Sequence, residues 1–296
     1  MVTAKPRPKL RYETKYLYIF ILPWIIGFIA FTAGPIVMSG VYSFTRYNLV
    51  LPPAFVGLQN YAQLLRDPLF WQSLKVTGIY TFVSVPLGLV LSLLVAVLVN
   101  MRIPGQRAFR TAVYFPTLVS GVVMSLLWLW LLNPQFGIIN YLLWELFGIK
   151  GPQWLYSPQW ALPSLILMTI WGIGTNMVLY LAALQGVPRS LYEAAELDGA
   201  GRIRRFFTIT VPMISPTTLF LLITGIIGTS QVFTQAAVMT QGGPEYATYF
   251  YVYYLYQEAF GSFNIGYASA MSWVLLLVVF LLTYILMRTS ERWVNY

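Results

Sequence analysis

Apolar residues run in long blocks along this chain, and polar residues gather between the blocks. Six blocks stand out, at 17–41, 76–99, 112–132, 161–184, 217–237 and 265–287. A hydrocarbon core about 30 Å thick is crossed by about 20 apolar residues in helical form. None of the 27 Lys, Arg, Asp and Glu residues falls inside a block. Lipid offers the backbone no hydrogen-bond partner, so each block is expected to be an α-helix. The pattern predicts an all-α, polytopic membrane protein of six transmembrane helices, forming a single membrane domain over 17–287.

The connections carry their own pattern. The segment 42–75 holds Pro52-Pro53 and then, from Leu58, a short amphipathic stretch. Residues 136–149 are apolar but too short to span upright, and Tyr141, Trp144 and Phe147 suit a helix lying in the interface. In 249–260, Tyr and Phe fill six of the first eight positions. Aromatic anchoring at the membrane surface is the expected role there, with carbohydrate stacking as the alternative. Pro23, Pro35, Pro86, Pro116 and Pro163 sit within or beside the blocks, where each removes a backbone donor and favours a kink. Gly172, Gly174, Gly225 and Gly228 cluster in the fourth and fifth blocks, which fits either close helix packing or room for a ligand near the midplane.

Composition agrees with a membrane solvent. The 296 residues are 58% hydrophobic and 9% charged, against about 25% charged in soluble domains. The net charge of +9 would be compatible with nucleic acid, but its distribution points elsewhere. Of the 18 Lys and Arg, four (Arg46, Arg66, Lys75 and Lys150) fall on one side of the predicted spans and the other fourteen on the opposite side. Cytoplasmic segments carry such a surplus. Both termini, 1–16 and 288–296, and the loop 185–216 are therefore expected in the cytoplasm, and no nucleic-acid partner is expected. The first block is longer than the 7–15 residues of a signal-peptide core and is read as a retained span. The chain has no Cys and no His, which excludes thiol and imidazole catalysis and the usual zinc sites.

One polar cassette, 188–212, separates the fourth and fifth blocks. Pro188 opens it and Pro212 closes it. Ser190 and Glu193 have the spacing of a capping box. Gly199 suits the left-handed end of a first helix. Asp198 is placed to cap a second piece starting near Ala200, on which Arg202, Arg204 and Arg205 lie, while Phe206, Phe207 and Ile209 face lipid or protein. The cassette is predicted to be a helix-turn-helix hairpin.

These residues carry a resemblance. Glu193-Ala194-Ala195, then Gly199, Ile209 and Pro212, match the signature of permease subunits of binding-protein-dependent ABC importers, with Val211 where that family has Leu. Stretches 57–61, 67–71, 133–140 and 242–244 resemble the carbohydrate, maltose-type branch. The resemblance implies that the hairpin docks on an ATPase subunit, with Glu193, Ala194, Ala195, Asp198, Gly199, Ile209 and Pro212 as coupling residues. It implies a second, different permease subunit, two ATPase chains and an extracytoplasmic solute-binding protein in a cytoplasmic membrane. ATP and Mg would be bound by the ATPase, so no cofactor and no metal site are expected in this chain. Glu193 is compatible with both roles, capping its helix and pairing with a basic group of the ATPase.

In the maltose-type pocket, the spacing from Glu193 falls on Gly225, Thr229 and Val232 in the fifth span. In the fourth it falls on Met168, Trp171 and Gly172. Helical spacing adds Gln235 and Thr175 or Asn176, and Gln231 lies off that face. The candidate sugar-binding residues are Trp171, Gly172, Asn176, Gly225, Thr229, Gln231 and Gln235. No nucleotide-cradling run ending in Gly-Lys-Ser/Thr is present, so the chain is not expected to hydrolyse ATP. No carboxylate sits within a span, which disfavours a proton- or sodium-coupled carrier. A membrane-embedded enzyme is disfavoured by the scattered acids. Within the importers, the alternative solutes are a sugar phosphate, polyol, amino acid or peptide.

Overall fold

The computed structural model describes residues 13–101 and 104–295. The expectations for residues 1–12 and for Arg102 lie outside the described residues. The described residues are mostly helical, and their packing groups them into two compact units.

The first unit runs to Leu64 and also takes in Glu258–Trp273. It contains α1 (Glu13–Phe28), which passes through a π-helical turn at Ile29–Ala33 into α2 (Gly34–Tyr42). A two-stranded hairpin follows, with β1 (Thr45–Arg46) antiparallel to β2 (Ala54–Phe55) and Thr45 opposite Phe55. The amphipathic stretch forms α3 (Gln59–Arg66). Its Asn60 is buried and donates to the carbonyls of Ser43 (2.8 Å) and Thr45 (2.9 Å), which fixes the exit from α2.

The second unit, Leu65–Gln257 with Val274 onward, is organised on α4 (Pro68–Asn100). Asp67 caps α4 by accepting from the Leu69 amide (2.8 Å), and Pro68 fills the first helical position, where a missing N–H costs nothing. At the far end the Val99 carbonyl accepts from the side chains of Gln106 and Arg110. Against α4 pack α8 (Pro158–Trp171), α9 (Gly174–Gly186) and α13 (Ser215–Ser230). Ser84, Ser92 and Ala96 are buried on α4, and their small side chains permit close approach where lipid supplies no hydrophobic drive. One core joins Tyr80, Trp128, Met168, Val232 and Phe250; another joins Leu89, Met177, Tyr180 and Ile214.

Among the described residues, three helices are long and apolar enough to cross a membrane, over Tyr18–Tyr42, Pro68–Asn100 and Ile265–Ser290 (the last labelled α15). The other three expected spans are bent. The third is divided between α5 (Gln106–Tyr114), continued by a tight turn to Leu118, and α6 (Gly121–Leu131), with a bend of 103°. The fourth bends by 46° between α8 and α9. The fifth is preceded by a bend of 63° at Ile214, after α11 (Arg202–Arg205) and α12 (Val211–Met213). It also stops at Ser230, short of the expected 237, and its helix resumes only at residue 234. Pro86 and Pro163 lie inside α4 and α8 without marking these bends. The breaks fall at Val119–Ser120, where Ser120 caps a new helix, and at Gly172, where a small residue tolerates the change of direction.

The short apolar helix α7 (Ile138–Phe147) forms as expected. The aromatic stretch is only in part an exposed anchor: Tyr256 and Phe260 are exposed, and the rings before them are not. Phe250 and Tyr251 are fully buried, and Tyr253 and Tyr254 nearly so. Their helix, α14 (Tyr251–Tyr256), is pinned to α4. The Tyr251 amide donates to Thr77 Oγ1 (2.9 Å), the Phe250 ring meets Tyr80 edge-on, and the Tyr254 hydroxyl donates to the second carboxylate oxygen of Asp67. Large rings with one polar tip suit a half-polar core as well as an interface, so composition alone does not separate the two.

Asp67 thus serves two partners. Asp67→Ala loses the cap, about 0.5–2 kcal/mol, and a charge-assisted bond of about 1.5–3 kcal/mol. The purified chain is expected to melt well below the native protein, with Tyr254→Phe intermediate and Asp67→Asn mildest. Equal melting of Asp67→Ala and native protein would contradict the double role.

Candidate functional site

The cassette is a hairpin. Its first arm is α10 (Arg189–Leu197), starting directly after Pro188. The expected capping box is not made: Pro188 is the N-cap, Ser190 lies inside the helix, and no side chain caps the first turn. Glu193 is exposed instead and keeps its carboxylate for another use. Gly199 has φ of +74°, and the turn closes in a paired pattern. The Gly199 amide donates to the Glu196 carbonyl (3.0 Å), and the Ala200 amide to the Ala195 carbonyl (2.9 Å). This satisfies two terminal carbonyls of α10. Asp198 ends α10 and does not cap the second arm, because α11 starts only at Arg202, with Gly201 before it.

Two side-chain ties hold the arms together. Arg205 Nη1 donates to Glu196 Oε2 (2.9 Å), and the hydroxyls of Tyr192 and Thr210 meet at 2.8 Å. Glu196 and Tyr192 were not singled out in the sequence. An acid and a base nine residues apart meet only because the turn reverses the chain. At the foot, Tyr192 and Ile209 pack against the core around Tyr180 and Ile214. At the tip, Leu197 is 91% exposed and Ile203 76% exposed. The signature residues therefore divide. Ile209 roots the hairpin in the core and Pro212 is half-buried at its end, while Glu193, Ala194, Asp198 and Gly199 lie on its exposed part.

The candidate sugar-binding residues fall around two adjoining cavities in the helix bundle. A cavity of about 120 Å³ is lined by Gly172, Asn176, Gly225 and Thr229, with Ser84 of α4. A second, of about 310 Å³, is lined by Trp171, Gly172, Thr175 and Gln235, with Tyr80. Thr169 and Gly172 border both. The bend between α8 and α9 sends Trp171 and Asn176 to different cavities. Gln235 reaches its cavity because the fifth span breaks after Ser230, not by continuing the face of Gly225 and Thr229. Gln231 sits at that break, exposed and on neither cavity. Thr229 donates to the Gly225 carbonyl (2.8 Å), leaving its lone pairs to accept from a ligand. Tyr80, Ser84 and Thr169 were not anticipated. They come from turns of α4 and α8 that the cassette's spacing does not reach.

A bundle of bent apolar helices with small cavities partly lined by polar side chains, and a hairpin tied at two points, marks a multi-pass membrane protein. The chain belongs to the family described as binding-protein-dependent transport system inner membrane component, which matches residues 76–296; its members are transport components rather than enzymes. It is 41% identical to the probable ABC transporter permease protein YesP of Bacillus subtilis over 283 residues, covering 94% of this chain and 91% of that protein. It is 34% identical to the sn-glycerol-3-phosphate transport system permease protein UgpA of Pectobacterium atrosepticum, covering 94% and 95%. Among solved structures it resembles a chain of a bacterial alginate ABC transporter in complex with alginate pentasaccharide-bound periplasmic protein. That match has a TM-score of 0.84 and 25% identity, covering 97% of this chain and 98% of that one. The fold is that of an ABC importer permease.

Proposed function

We propose that this chain is one permease subunit of an ATP-driven importer that moves a carbohydrate across the cytoplasmic membrane by alternating access. Its partners are a second, different permease subunit, two ATPase chains and an extracytoplasmic solute-binding protein. Both termini and the hairpin 188–212 lie in the cytoplasm, in keeping with the charge surplus there. Glu193, Ala194, Ala195, Asp198 and Gly199 meet the ATPase, and Ile209 and Pro212 pass its motion to the spans. ATP and Mg are held by the ATPase, and no cofactor is needed here. The observation that carries the reading is the tied, core-rooted hairpin in a chain whose fold fits an alginate importer along nearly its whole length.

The sugar is read by Trp171, Gly172, Asn176, Gly225, Thr229 and Gln235. A second reading, a sugar-phosphate-like ester, is favoured by the likeness to UgpA. Against it, no charged side chain among the described residues lines either cavity, and an anion out of water needs a cationic partner. Reconstitution with all partners tests the choice. ATP-dependent uptake of a neutral oligosaccharide, unaffected by sn-glycerol-3-phosphate, is the expected result. Uptake that survives ATP depletion and collapses with the proton or sodium gradient would overturn it.

A further inference from the structure

A third cavity lies apart from the spans' interior, between the end of α6 and α7. Its volume is about 580 Å³, within the roughly 300–1,000 Å³ of small-molecule sites. Its walls are fixed by a knot of hydrogen bonds. Asn140 Oδ1 accepts from the Trp154 indole (2.6 Å), and Asn140 Nδ2 donates to the carbonyls of Pro134 (3.4 Å) and Pro152 (3.3 Å). Asn133 Oδ1 accepts from the amides of Gln135 (2.9 Å) and Phe136 (3.3 Å). The lining is two-faced. Phe136, Ile138, Tyr141 and Trp144 supply an apolar floor, while Lys150 is the single charged group on the rim. Among the described residues, the Lys150 ammonium and the side-chain amides of Gln135 and Gln153 have no hydrogen-bond or ion-pair partner within the chain. Phe147, three residues on from Trp144, is exposed and extends this apolar floor, and Glu145 is exposed on the same helix.

We propose that this cavity holds one anionic phospholipid. The phosphate sits at Lys150, the glycerol and headgroup hydroxyls bond to Gln135 and Gln153, and an acyl chain lies over the rings and down α7. An aromatic, apolar floor beside a cationic rim suits an amphiphile. The lone cation at the rim supplies the charge complementarity that selects an anionic headgroup over a zwitterionic one. Aromatic residues and a lysine at a span's end are the usual furniture of the membrane interface. The site is independent of the solute the spans carry.

Native mass spectrometry of the full chain, released from mild detergent with phosphatidylglycerol or phosphatidylcholine added, tests this. One phosphatidylglycerol is expected to stay bound, several-fold more tightly than phosphatidylcholine, and its retention should fall as salt is raised. Lys150→Gln should weaken phosphatidylglycerol about tenfold, equivalent to about 1.4 kcal/mol, and leave phosphatidylcholine unchanged; Trp144→Ala should weaken both. Both residues are exposed, and unchanged helicity and elution will establish that the variants fold; the salt series on the native chain does not depend on them. Equal retention of the two lipids, or of phosphatidylglycerol by native and Lys150→Gln protein, overturns the assignment. So does displacement by inorganic phosphate alone, or saturable, Lys150-dependent binding of an oligosaccharide in the lipid's place.

Discussion

ATP-driven uptake by the assembled importer is expected to vanish in Gly199→Pro, while the chain remains in the membrane at native abundance. Gly199 holds φ at +74° and donates its amide to Glu196. Proline is fixed near −65° and has no N–H, so it satisfies neither demand. The paired turn opens, the Arg205–Glu196 tie separates, and the exposed tip with Glu193, Asp198 and Leu197 no longer has one shape to offer an ATPase. The spans are spared because the feet of the hairpin are held separately, by Tyr192 with Thr210 and by Ile209 in the core. Gly199→Ala should be far milder, because the left-handed region costs an L-residue only about 1–2 kcal/mol. The readouts are solute uptake in vesicles and chain abundance by immunoblot. Native uptake by Gly199→Pro would remove the hairpin from the coupling path.

What could be read in the sequence followed from solvent and short-range geometry. Lipid imposes apolar runs on any spanning helix, so six blocks were visible; α3 and α7 each show within a dozen residues, and the hairpin within the short cassette 188–212. The left-handed Gly199 was legible because few other residues tolerate that backbone. What escaped depended on tertiary context. The capping box at Ser190 is not made because α10 starts at Arg189, two residues too early for Ser190 to be its N-cap. The breaks at Ser120, Gly172 and Ser230 do not interrupt hydropathy, so they left no mark on the blocks. With the fifth span read as continuous, helical spacing sets Gln235 on the face of Val232 and Gln231 off it. The break separates them and carries only Gln235 to a cavity. The rings of 250–254 were legible as aromatic but not as buried, since the helix that covers them, α4, lies some 170 positions earlier.

Gly172→Leu is expected to block transport in a chain that folds normally. Gly172 ends α8 at φ −89° and ψ 12°, a conformation open to any residue. A Cβ placed there meets nothing closer than the Thr169 carbonyl oxygen at 3.5 Å. The rest of a leucine would enter the space that Gly172 borders in both cavities, between Trp171 and Gln235 on one side and Asn176 and Thr229 on the other. Uptake should fall about tenfold or more, at least about 1.4 kcal/mol in the limiting barrier, with thermal stability unchanged. Two residues along, the opposite holds. A Cβ on Gly174 would lie 2.5 Å from the Val113 carbonyl oxygen and 2.8 Å from Tyr114 Cα, both main chain and unable to yield. Gly174→Ala should therefore lose about 1–3 kcal/mol of stability or more, and its uptake should fall only as far as its folded fraction does. The pair separates occlusion from misfolding by measuring melting temperature and uptake on the same preparations. If Gly172→Leu transports at the native rate, the cavities it fills are not on the solute's path, however well their lining suits a sugar.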